Sequence, residues 1–87
     1  MKKYDCFPIF RKYNNNNNYF KIISNSQFEE LIIIGKKYVI TNKNAAILPD
    51  RNFIQDMIVN ENGTWLEIFE EEYTKKINYC ADNLTKI

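Results

Sequence analysis

The 87-residue chain has no histidine, only two glycines, two prolines and two cysteines, and no long apolar run. Each scarcity removes a class of function. Without histidine the chain lacks the commonest general base near neutral pH and the commonest metal ligand. Cys6 and Cys80 cannot close a zinc site by themselves. They could form one disulfide if the chain ends meet, but nothing marks the chain as secreted, and two buried reduced thiols are the preferred reading. With Gly35 and Gly63 as its only glycines, the chain has no loop that converges backbone N–H groups on a phosphate. "IGKK" at residues 34–37 lacks the upstream glycine and the following Ser/Thr of a P-loop. The longest apolar run, "LIII" at residues 31–34, is far too short to cross a bilayer. "MKKYDCFPIF" begins basic but has no apolar stretch of the kind a signal peptide needs. These absences predict a cytoplasmic protein with no membrane segment, metal or cofactor.

What is present describes one small folded domain over residues 1–87. Hydrophobic residues make up 45% and charged residues 26%, close to the globular average, which argues against global disorder. Asn, Lys and Ile contribute 13, 10 and 13 residues, and Lys outnumbers Arg ten to two. These residues have A/T-rich codons, so the asparagine run at 14–18 is partly compositional drift. The net charge of +1 conceals an asymmetry. Residues 1–44 hold eight Lys/Arg and three Asp/Glu, a net of +5; residues 45–87 hold four and eight, a net of −4.

The first half reads as strands. "CFPIFRKY" (6–13) is aromatic and β-branched, but Pro8 cannot donate to a ladder, so the strand lies at an edge or begins after the proline. "YFKIIS" (19–24) is a second strand, and the five asparagines between them suit a hairpin loop. "SNSQ" (24–27) marks a turn. "FEELIII" (28–34) and "GKKYVIT" (35–41) follow as strands joined through Gly35-Lys36, glycine first, as a type II′ turn requires. A capping-box pattern, Ser26 with Glu29, competes by offering a helix start at Gln27. Three consecutive isoleucines favour the strand. The result is a four-stranded antiparallel meander.

After a connection at 42–48 the period changes. Pro49 or Asp50 can open a helix whose apolar face is Phe53, Ile54, Met57 and Ile58, with Gly63 as its terminator. A hairpin through Asn62-Gly63 is the rival for residues 50–60, and the helix is preferred. "TWLEI" (64–68) is a fifth strand. Tyr73, Ile77, Cys80, Ala81 and Leu84 then form one helical stripe. Glu70, Glu71 and Glu72 stand in its first turn, where the helix dipole favours acid, and Glu71 and Glu72 precede Lys75 and Lys76 by four residues. The predicted class is α+β: a mainly antiparallel sheet of about five strands, one short helix and one C-terminal helix.

No constellation requires catalysis. Cys80 lies mid-stripe, Asp50 reads as a cap, and the glutamates are explained by helix electrostatics, so the expectation is that the protein is not an enzyme. Two binding surfaces remain. The first is acidic: Trp65 as an aromatic anchor with Glu67, Glu70, Glu71 and Glu72, suited to a basic groove on a protein partner. The alternative is a single-stranded nucleic-acid platform on the hairpin 10–22. There a five-residue loop would set Arg11 and Tyr13 beside Tyr19 and Lys21 on one exposed face, with Phe10, Lys12, Phe20 and Ile22 opposite. Lys2, Lys3, Lys36 and Lys37 would support it.

In type, the short length, the "FEELIIIGKKYVIT" strand pair and the acidic "LEIFEEEY" entry to the last helix resemble small phage-encoded anti-defence proteins, including anti-CRISPR inhibitors. The resemblance implies a non-enzymatic inhibitor that binds a nucleic-acid-handling host nuclease. It assigns no role to any single residue.

Overall fold

In the computed structural model, which describes residues 7–87, alternation of side chains across the strands divides the apolar residues between two faces of one sheet. Strands β1 (Ile9–Tyr13), β2 (Asn18–Ser24), β3 (Gln27–Ile34) and β4 (Lys37–Asn44) form the expected antiparallel meander. The chain then crosses one face as helix α1 (Leu48–Val59) and returns as β5 (Trp65–Ile68), antiparallel to β1. Helix α2 (Glu70–Asn83) crosses the other face and delivers β6 (Thr85–Lys86) parallel to β4. Among the described residues the sheet therefore has six strands in the order β5-β1-β2-β3-β4-β6. The α+β class stands, with one strand more than expected.

The helices lie on opposite faces because the strands offer two apolar surfaces. Phe20, Ile22 and Phe28 point to Ile54, Met57 and Ile58 of α1, with Ala45 and Trp65 completing that core. Phe10, Tyr19, Leu31 and Tyr38 point the other way, to Tyr73 and Cys80 of α2, with Ile77 and Leu84 packed beside them. Ala81, placed on the same stripe by its spacing, is exposed instead. Cys80 is fully buried and has no disulfide partner among the described residues. Cys6, and with it the question of a disulfide, lies outside the described residues, as do Lys2 and Lys3.

Several boundaries shift for identifiable reasons. β1 begins just after Pro8, whose missing N–H would have broken a ladder. β4 continues through Asn44, because Asn42, Lys43 and Asn44 pair with Glu29, Phe28 and Gln27 while their own side chains stay exposed. Gly35 has φ +61° while Lys36 stays at negative φ, the pattern of the expected turn. α1 takes Pro49 in its first turn, but its N-cap is Ile47, and Asp50 sits within the first turn rather than capping it. Its terminator is Asn60, at φ 51°, which donates its backbone N–H to Asp56 O at 2.8 Å; Gly63 belongs to the turn that follows.

The first hairpin carries the consequential correction. Its loop has four residues, 14–17, because Asn18 joins β2 and donates its side-chain amide to Glu30 Oε2 at 3.1 Å. Asn16 takes the left-handed conformation, and Asn15 Oδ1 accepts from the Asn17 N–H. The pairing is therefore Arg11 with Phe20 and Lys12 with Tyr19, one residue away from the expected register. A slip of one residue turns every side chain of a strand to the opposite face.

Candidate functional site

That register dismantles the nucleic-acid platform. Arg11 and Tyr13 face α1, whereas Tyr19 and Lys21 face α2, so the four never share a surface. Tyr19 is 3% exposed and sits in the α2-side core; burial pushes its hydroxyl pKa up. Lys12 forms a salt bridge to Glu72 at 2.6 Å, which raises its pKa. Lys12 and Lys76 both lie against the Tyr19 ring, at 5.7 and 5.8 Å from its centroid.

Arg11 is 7% exposed and has a structural task. Its guanidinium donates from Nε to Met57 O (2.9 Å) and from Nη2 to Ile58 O (3.2 Å), with Nη1 donating to Phe10 O (2.9 Å). The Met57 and Ile58 carbonyls belong to the last turn of α1, which has no intrahelical donor for them and no basic residue of its own. A cation from the neighbouring sheet thus neutralises the negative end of the helix.

The acidic surface forms at the corner where β5 passes into α2, with a different centre from the one expected. Trp65 is 9% exposed and lies in the α1-side core, stacked on Tyr13 at 6.0 Å and edge-on to Phe53 at 5.8 Å, so it is not an exposed anchor. Its indole N–H is buried without a partner among the described residues. Glu67, Glu70 and Glu71 are exposed. Glu72, half exposed, is held by Lys12, so the expected Glu72–Lys76 pair is replaced by a contact to the sheet; among the described residues Glu71 and Lys75 form no salt bridge either.

The exposed aromatic at this corner is Phe69, at 85% exposure, with Leu66 nearby at 42%. Phe69 occupies the N-cap of α2 and makes no side-chain cap bond. Helix entry is fixed instead by its neighbours: Ile68 and Tyr73 hold the N′ and N4 positions of a hydrophobic staple and share the α2-side core. Tyr73 also donates its hydroxyl to Glu29 Oε1 at 2.7 Å. The sequence contained a signal for Phe69. A phenylalanine at an N-cap has no capping function, so its place before three glutamates is unexplained by helix formation.

Beside Phe69 runs an open groove of about 360 Å³ between residues 8–11 and 67–70. Among the described residues no group of three or more His, Cys, Asp or Glu could hold a metal ion, and no helix is long and apolar enough to cross a membrane. Comparison with known proteins finds no matching family, no similar curated protein and no similar solved structure.

Proposed function

We propose that the protein is a small non-enzymatic binding protein that acts by stoichiometric protein–protein interaction through the β5–α2 corner. The observation that carries this reading is Phe69, an 85% exposed aromatic ringed by Glu67, Glu70 and Glu71. An exposed ring of that size is a ready anchor for a partner's pocket, and acid around it favours encounter with a basic surface. Trp65 supports the corner from within. The buried Cys80 thiol, its pKa raised by burial, supports the absence of nucleophilic chemistry. The resemblance to phage anti-defence proteins would make the partner a nucleic-acid-handling nuclease whose basic groove accepts this acidic corner.

The test is a comparative pulldown from a lysate of the cell in which the protein is expressed. Wild type and a Phe69→Ala/Glu70→Lys/Glu71→Lys variant serve as baits. A protein retained stoichiometrically by wild type and lost by the variant supports the reading. Identical retention by both, or retention of nothing, refutes it.

A further inference from the structure

Trp65 has a hydrogen-bond arrangement that marks the outer side of β5, the edge strand among the described residues. Asn60 donates its side-chain N–H to Trp65 O at 2.7 Å, and Asn60 Oδ1 accepts from the Trp65 N–H at 3.0 Å. Both backbone groups of Trp65 therefore point away from β1, and the Asn60 amide reproduces the two bonds that a neighbouring strand would make. In an antiparallel pair, backbone groups alternate between the partner and the open side. Leu66 and Ile68 then bond to β1, opposite Lys12 and Phe10, and Glu67, opposite Arg11, faces outward as Trp65 does. Among the described residues β5 is the edge strand, and no strand of the sheet lies beyond Glu67. Phe69 still has extended backbone (φ −94°, ψ 160°), and alternation directs its N–H outward as well.

We propose that this edge receives a strand from the protein's partner, paired at Glu67, and that the occupant is an extended basic segment of another protein. The proposal rests on the reading of the β5–α2 corner as a protein-binding surface. Strand addition draws its affinity from main-chain bonds and its specificity from alternate side chains. Here the main-chain groups are Glu67 N–H, Glu67 C=O and Phe69 N–H. Charge selects the occupant. Glu67, Glu70 and Glu71 carry no salt bridge among the described residues, while Lys12 is engaged by Glu72 and Arg11 is buried against α1. A second copy pairing β5 to β5 would bring this acid against itself, which cross-strand like charges disfavour. Asn60 limits the site, since it already occupies the outward position at Trp65 and stops an incoming strand there.

The geometry is tested first on the free protein. Amide hydrogen exchange is expected to be slow at Leu66 and Ile68 and fast at Glu67; slow exchange at Glu67 overturns the proposal. A short capped peptide alternating lysine and valine is then titrated into nitrogen-15-labelled protein. The expected result is a saturable shift of the Glu67 and Phe69 amides with exchange slowed about tenfold or more at Glu67, and no response to the matching glutamate–valine peptide. Glu67→Pro removes the outward N–H without breaking the β1–β5 ladder and is expected to weaken the lysine–valine peptide by about tenfold or more; Glu67→Gln, which keeps the donor, is expected to weaken it less than about threefold. No response at Glu67 and Phe69, or equal binding by the two variants, overturns strand addition. If Glu67→Pro fails to fold, the wild-type exchange rate and peptide titration decide, and an unresponsive Glu67 amide overturns the proposal. In the pulldown, a partner kept by Glu67→Pro but lost by the Phe69/Glu70/Glu71 variant removes strand addition alone. Retention indifferent to every variant removes the binding surface itself.

Discussion

Replacing Arg11 by methionine tests whether a buried cation seals α1. The side chain keeps most of its aliphatic length but loses the fork that donates to Met57 O and Ile58 O at 2.9 and 3.2 Å. Hydrogen bonds from a charged donor contribute more than neutral ones, about 1.5–3 kcal/mol each. The helix-end charge term adds roughly 0.3–1 kcal/mol. Against these stands the relief of no longer burying a guanidinium, which offsets a large part of the gain. The net expectation is a loss of about 2–3 kcal/mol, a large share of the roughly 5–10 kcal/mol that holds a small domain together. With a urea m-value of about 1 kcal/mol/M, the midpoint should fall by about 2–3 M. Trp65, the single tryptophan, lies in the core that α1 covers, so its fluorescence is the natural readout. Arg11→Lys should recover only part of the loss, because an ammonium cannot bond both carbonyls as a planar fork. A shift below about 0.5 M for Arg11→Met would refute the sealing role. Unchanged stability with lost single-stranded RNA binding would return Arg11 to the surface role its neighbours first suggest.

Three further outcomes are expected. Asn60→Gly keeps the left-handed backbone but loses both bonds to Trp65, so it should destabilise by about 1 kcal/mol; Asn60→Ala should lose about 1 kcal/mol more, and an alanine variant as stable as the glycine one would contradict the cap assignment. Lys12, Tyr19 and Tyr73 all have pKa values raised in the fold, from ordinary values of 10.5, 10.0 and 10.0, Tyr73 chiefly by burial and then by its bond to Glu29. The unfolded chain releases these protons first, so the stability they contribute is complete below about pH 10 and declines as pH rises beyond it. Urea midpoints across that range should fall, and fall less steeply in Tyr73→Phe; a flat profile, or an unchanged slope in the variant, would contradict this. In a Cys6→Ser background, the Cys80 thiol should react with a disulfide reagent only as fast as the protein unfolds globally, and rapid labelling of the native state would show that it is not sealed.

The local signals carried much of the fold. Apolar alternation with turn residues marked the meander, Gly35 marked the β3–β4 turn, and the 3.6-residue spacing of Phe53, Ile54, Met57 and Ile58 marked α1. Each rests on neighbours within a few residues, where backbone preference and side-chain periodicity act without help from the rest of the chain. The acid in the first turn of α2 was equally legible, because the helix dipole is a local field.

What needed tertiary structure was the choice among local options of similar energy. The loop of the first hairpin could hold four or five asparagines; packing chose four, since only that register puts Tyr13 in the core of Phe20 and Ile22 and Phe10 in the core of Tyr19. The same choice buried Arg11 and split the aromatic-basic cluster between two faces. β6 has two residues and no pattern of its own, and it exists because α2 delivers the chain to the open side of β4. Phe69 has no helical task in the sequence, but its exposure is a property only the structure shows. Which segments could be strand or helix, and where charge gathers, follow from short-range chemistry and can be read along the chain. Which face each side chain takes, and which strand ends the sheet among the described residues, follow from register and burial, which are settled by contacts between segments distant in sequence.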